Sequence, residues 1–187
     1  TNKVVQTLAR AAVLAGLKAV RFNFRGVGRS EGVYDEGRGE LGDLMAVVQR
    51  VLDEHSADID RLGAQLKLDL PPTTLHLDRE GLAVVLRNLV GNALKFSRPG
   101  EPPQVEIGAR READTHLIWV RDHGVGFDMK YHDRIFGIFQ RLQRAEDYPG
   151  TGVGLALVSK AVQRMGGRVW AESRPGQGAT FFMEFPA

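Results

Sequence analysis

Apolar positions along the chain fall into helical and extended stretches in turn, and their order predicts layers. Val4, Val5, Leu8, Ala12 and Leu17 recur near helical spacing over residues 1–18, and Ala19 to Phe24 then reads as a strand ending at Arg25-Gly26-Val27-Gly28. From Tyr34 to Asp43 the composition turns to Gly, Glu, Asp and Arg, after which Leu44, Val47, Val48, Val51 and Leu52 mark a new amphipathic helix. The boundary therefore falls near Asp43, dividing the chain into residues 1–43 and 44–187. Beyond it, Gln65 to Leu70 alternates like a strand, Asp78 to Phe96 is helical, and Gln104 to Ile107 and His116 to Asp122 are strands. Thr151 to Met165 reads as a helix opened by glycines, and Arg168 to Ser173 and Ala179 to Phe185 as strands around the turn Pro175-Gly176-Gln177-Gly178. The pattern predicts an α/β fold, a two-layer sandwich with helices on one sheet face, preceded by an added helix and strand.

Composition narrows the class. The 187 residues, 43% of them hydrophobic, suffice for a real core. Net charge is only +2, and Lys and Arg are scattered without interleaved aromatics, which argues against nucleic acid as a partner. The absence of Cys excludes disulfides and thiolate metal sites and fits a reducing cytosol, so a cytoplasmic location is expected. No apolar run approaches a membrane span and no signal peptide is visible, so no membrane partner is expected. The chain opens on Thr1 rather than Met, as expected of a fragment.

The second part carries the chemistry. Asn88 and Asn92 stand at i and i+4 of the helix from Asp78 to Phe96, with Lys95 one turn further on the same face. A carboxamide oxygen can ligate Mg²⁺ while its NH₂ reaches a phosphate, and an ammonium adds charge compensation. The competing reading is a solvated helix face. Leu86, Leu89, Val90, Ala93 and Leu94 form the stripe that docks this helix on the sheet, and the asparagines lie at its edge. Asp122 closes a strand before His123-Gly124-Val125-Gly126. A carboxylate there can accept from an adenine amino group, with glycine letting the backbone approach a flat base; the alternative is a simple turn former. Gly150-Thr151-Gly152-Val153-Gly154 precedes a helix and so aims free N–H groups and the positive helix end at phosphate. The dinucleotide fingerprint is incomplete, since no strand runs into these glycines and position 157 is Leu, which excludes a Rossmann assignment.

These residues carry a resemblance. Arg87 to Ser97 resembles the N box of the catalytic ATP-binding domain of bacterial sensor histidine kinases, which share the Bergerat-type fold with gyrase, Hsp90 and MutL. Asp122 to Gly126 resembles the first glycine box, Ile135 to Leu142 the F box, Tyr148 to Leu155 the second glycine box and Gly176 to Phe181 the last, all in order. The F-box wording and Tyr148-Pro149 are most similar to phytochrome-like kinases. The resemblance implies ATP and Mg²⁺ as cofactors, with Asn92 holding the metal, Asn88 and Lys95 meeting phosphate or metal, and Asp122 recognising adenine N6. It implies Gly152 and Gly154 against the phosphates, and contributions to the same site from Gly124, Gly126, Tyr148, Gly150, Thr151, Leu155 and Thr180. Gln140 to Tyr148 would form a lid with Phe136 and Phe139 at its base, core packing being the alternative for both rings. The family's γ-phosphoryl acceptor is a His on a separate dimerisation element. His55 lacks the acidic neighbour and later proline of that motif, so self-phosphorylation is expected to fail and the acceptor, or a response regulator, to act in trans.

Residues 1–43 resemble something else. Asn2 to Arg10 and Val20 to Gly32 look like an internal helix and strand of dienelactone-hydrolase-like α/β-hydrolases, which suggests a chimera. Gly28-Arg29-Ser30-Glu31-Gly32 fits G-x-S-x-G, yet a loop rather than a helix follows, so no nucleophile elbow is expected and no triad can be assembled. A lone strand beside an apolar helix cannot bury both faces, so this segment is expected to extend the kinase sheet or to pair with a second copy as a homodimer.

Overall fold

The computed structural model describes residues 41–140, 148 and 150–187. The N-terminal helix and strand, the hydrolase-like run and most of the expected lid lie outside these residues. Two short strands, β1 (Leu41–Asp43) and β3 (Thr74–His76), pair antiparallel beside the main body. The main sheet runs β2 (Gln65–Asp69), β4 (Gln104–Glu112), β5 (Thr115–Asp122), β7 (Ala179–Pro186) and β6 (Arg168–Ser173) in that spatial order. Among the described residues only the β2–β4 pairing is parallel. The helices are α1 (Leu44–Glu54), α2 (Ser56–Leu62), α3 (Arg79–Lys95), α4 (His132–Ile135) and α5 (Gly154–Arg164).

Alternation decides which sheet face is dry. Val105, Ile107, Ile118, Val120, Phe181, Met183 and Phe185 all point to the helix side and are buried. Against them lies α3, whose Leu82, Leu86, Leu89, Val90 and Ala93 are buried in one core with α1's Val47, Val48 and Val51 and α5's Val158 and Val162. Asp78 starts α3, its carboxylate accepting from Glu80 N–H at 3.0 Å and Gly81 N–H at 3.1 Å. Asp78→Ala removes that cap, and urea unfolding is expected to show a loss of about 1 kcal/mol.

The sandwich matches the sequence pattern, with several boundaries moved. The Thr151 helix begins only at Gly154, because Gly152 holds a left-handed φ of 69° that keeps the glycines in a loop. β4 extends to Glu112, five residues past the expected end at Ile107. The helix from Leu44 stops at Glu54, and His55 passes the chain to α2. His55 is fixed by structure, with Nε2 3.1 Å from the Arg87 carbonyl oxygen.

Candidate functional site

α3, the loop after β5 and the loop before α5 enclose a cleft of about 310 Å³. Asn88, Asn92, Lys95, Asp122, Gly126, Tyr148, Gly150, Thr151, Gly152, Gly154 and Leu155 line it, so most of the expected site residues meet at one place. Asn88 Nδ2 donates to the Val84 carbonyl at 2.8 Å, which commits that amide to its own helix and turns Oδ1 toward the first turn of α5. A Cβ on Gly154 would sit 2.9 Å from that oxygen, and a Cβ on Gly150 would strike the Lys95 ammonium, so the glycines make room for polar groups of α3. Val153 gives α5 no side-chain cap and its first turn holds no acid. The free N–H groups and positive dipole end of α5 thus reinforce Lys95.

The same cleft also holds a carboxylate. Asp122 is buried, and both of its hydrogen bonds fall on Oδ1, from Gly124 N–H at 2.8 Å and Ala179 N–H at 3.2 Å. Burial pushes its carboxyl up to about 6, against the pull of those two N–H groups and of His123. A cleft lined by an ammonium, a helix N-terminus and a buried carboxylate suits a ligand that carries both anionic groups and an amino donor. Phe96, Phe127 and Phe181 supply apolar wall to the cleft. Phe96 packs on Tyr148 with ring centroids 5.3 Å apart, and the Tyr148 hydroxyl donates to the Ser97 carbonyl at 3.3 Å.

Four expected residues lie elsewhere. Gly124 does not face the cleft: its missing side chain admits the Phe96 carbonyl oxygen, which accepts from Val125 N–H at 2.9 Å. The close approach foreseen for a flat base is made by the end of α3 instead. Phe136 packs on the core, whereas Phe139 is 55% exposed with φ at 60°, its N–H bonded to the Gly152 carbonyl. The two rings therefore differ in burial. Thr180 points to the other sheet face, because side chains alternate along β7 and the cleft takes Ala179 and Phe181. Phe96, Val125, Phe127, Ile135 and Val153 also line the cleft and were not foreseen as site residues, whereas Gln140 was expected only as the start of the lid; Ala179 and Phe181 were within reach of the alternation alone.

Metal chemistry fits this lining only in a particular form. Among the described residues no cluster of His, Asp or Glu could hold a cation unaided. Two amide oxygens near an N–H-rich helix end suit Mg²⁺, which keeps most of its shell in water and phosphate oxygens and takes few protein ligands. No helix among the described residues is long and apolar enough to cross a membrane.

Residues 77–187 match the family described as histidine kinase-, DNA gyrase B-, and HSP90-like ATPase. Cyanobacterial phytochrome A of Nostoc sp. is 40% identical over 147 residues, 79% of this chain and 19% of that protein. Phytochrome-like protein Cph1 of Synechocystis sp. is 35% identical over 144 residues, 77% of this chain and 19% of that protein. The chain thus spans less than a fifth of the length of these relatives. In fold it is similar to the mycobacterial sensor histidine kinase MprB, with TM-score 0.69 and 23% identity over 79% of this chain and 97% of that one. Full-length ShkA, solved in complex with AMPPNP, gives TM-score 0.69 and 24% identity over 98% of this chain and 35% of that one. These matches lend no support to a hydrolase origin for residues 1–43 or to a chimera. With its mixed sheet, a cleft lined by Lys95 and Asp122 and a family match over most of the described residues, the chain belongs to the histidine kinase-, gyrase B- and HSP90-like ATPases and carries the ATP-binding domain of a sensor histidine kinase.

Proposed function

We propose that the cleft binds Mg-ATP with adenine at Asp122 and the phosphates at the start of α5, and presents the γ-phosphoryl to a His outside residues 1–187. The observation that carries this is the lining of one cleft, which joins Lys95 and the start of α5, a helix without a side-chain cap, to the buried Asp122 carboxylate. Adenine N6 donates to an ionised carboxylate, and Oδ2 is the oxygen left to receive it while Oδ1 serves the backbone. Asn92 and Asn88 would hold Mg²⁺ through their amide oxygens, the ion supplying charge neutralisation for phosphoryl transfer, and Lys95 with the N–H groups of Gly152 and Gly154 would hold the phosphates. The phytochrome relatives favour a phytochrome-like kinase working in the cytoplasm, with a dimerisation domain and a response regulator as protein partners. The division near Asp43 rests on the change of composition there.

A melting curve tests the reading. Mg-ATP at about a hundredfold excess over its Kd should raise the transition by about 5 °C or more, because a ligand specific to the folded state stabilises it by mass action. A folded protein whose melting point ignores Mg-ATP would instead be a scaffold with a pocket that does not work.

A further inference from the structure

We propose that Ser173 is a positioning residue for adenine recognition, fixing the peptide that orients Asp122; the proposal rests on the nucleotide reading above. Ser173 ends β6 and is 9% exposed. Its hydroxyl donates to the Gly178 carbonyl at 2.7 Å and accepts from Phe127 N–H at 2.8 Å. A hydroxyl has one hydrogen, so its donor is committed to Gly178.

The consequence passes through peptide geometry. The Gly178 carbonyl and the Ala179 N–H belong to one planar trans unit and point in opposite directions. Holding the carbonyl toward Ser173 therefore aims the N–H at Asp122 Oδ1, where the 3.2 Å bond is found. The hairpin's own bond to the same oxygen, from Arg174 N–H, is long at 3.4 Å, so the Ser173 hydroxyl makes the shorter hold on that carbonyl. Gly178, at φ 83°, has no side chain to restrict it. The acceptor side of the same hydroxyl fixes Phe127, a wall of the cleft whose ring lies 6.4 Å from Phe181. One buried serine thus sets both the carboxylate and an apolar wall at the adenine end, without touching the ligand.

Ser173→Ala, Ser173→Thr and the parent are compared by calorimetric titration with Mg-ATP between about pH 5 and pH 8. Ser173→Ala should weaken binding about tenfold, the scale of a buried polar group losing its partner. The pH at which affinity falls off should also rise, because Ala179 N–H no longer helps to keep Asp122 ionised. The groups facing that carboxyl, His123 beside it and Lys95 in the lining of the same cleft, are the same in every variant. Ser173→Thr keeps donor and acceptor and should restore both readings. Parental binding by Ser173→Ala, or weaker binding with the pH midpoint unmoved, overturns the proposal, since general damage has no reason to move that midpoint. If Ser173→Ala does not fold, Ser173→Cys fills the space with a poor donor and is judged by the same two outcomes. A parent protein with no affinity for Mg-ATP defeats the nucleotide reading itself, whereas a binding parent with indifferent Ser173 variants defeats only this inference.

Discussion

Asp122→Asn is expected to abolish Mg-ATP binding and, in the absence of nucleotide, to make the protein more stable. The two effects share one cause. The folded site holds this carboxyl at about 6 against an ordinary 3.8, chiefly because burial penalises the charge. A folded-state value above the unfolded one means that the native state binds the proton more tightly, so at neutral pH the ionised carboxylate works against folding. The gap amounts to about 3 kcal/mol above pH 6 and fades as pH falls from 6 toward 3.8. Asn carries no charge and keeps an oxygen to accept from Gly124 and Ala179 N–H. Urea unfolding should therefore show the variant ahead by about 2 to 3 kcal/mol at pH 7.5, with the advantage closing near pH 4. Its NH₂ can instead confront the adenine amino group, donor against donor, which should cost at least a hundredfold in affinity, on the order of 3 kcal/mol. Unchanged Mg-ATP affinity would remove Asp122 from adenine recognition. Equal stability of the two proteins at neutral pH would mean that the carboxylate is better solvated than its burial implies.

The parts of this site that were legible in the sequence are those with a repeat longer than the local geometry. α3 carries its apolar stripe over seventeen residues, so its docking face and the places of Asn88, Asn92 and Lys95 followed from the helical period. Asp122 was legible because a strand with the continuous apolar run Leu117 to Val120 ends on it before glycines. Elements without such a repeat were not: β1 and β3 are three residues each, and α2 buries no side chain, so none imposes a period on the sequence. The glycines were legible as breaks between elements, but not the backbone contacts they make room for. Gly124 and Gly126 serve the meeting of backbones, the first with the Phe96 carbonyl and the second with those of Arg174 and Gly178, a need that depends on distant segments. Thr180 was placed by motif although strand parity already assigned the cleft to Ala179 and Phe181. Where motif and periodicity disagree about one residue, the pleat decides which way its side chain points.

Gly178→Ala should be the more damaging of two substitutions in one turn, and Gly176→Ala separates its causes. Both glycines hold left-handed backbone, Gly176 at φ 74° and Gly178 at φ 83°. An L side chain at either pays about 1 to 2 kcal/mol for that conformation. At Gly176 nothing lies within 4 Å of the added Cβ, so that is the expected loss. At Gly178 the Cβ would run into the carbonyl of Asp122 and lie 2.8 Å from the Cα of His123, backbone atoms of the neighbouring strand and loop that have no rotamer in which to yield. Crowding adds about 1 to 3 kcal/mol, bringing the expected destabilisation to about 2 to 5 kcal/mol. The strand that must shift is the one that ends in Asp122, so the folded fraction of Gly178→Ala should also lose Mg-ATP affinity, while Gly176→Ala keeps it. Urea unfolding and titration of the same two samples decide the matter. Equal losses at the two positions would show that β5 and the glycine turn are not in the close contact on which the adenine end of the cleft depends.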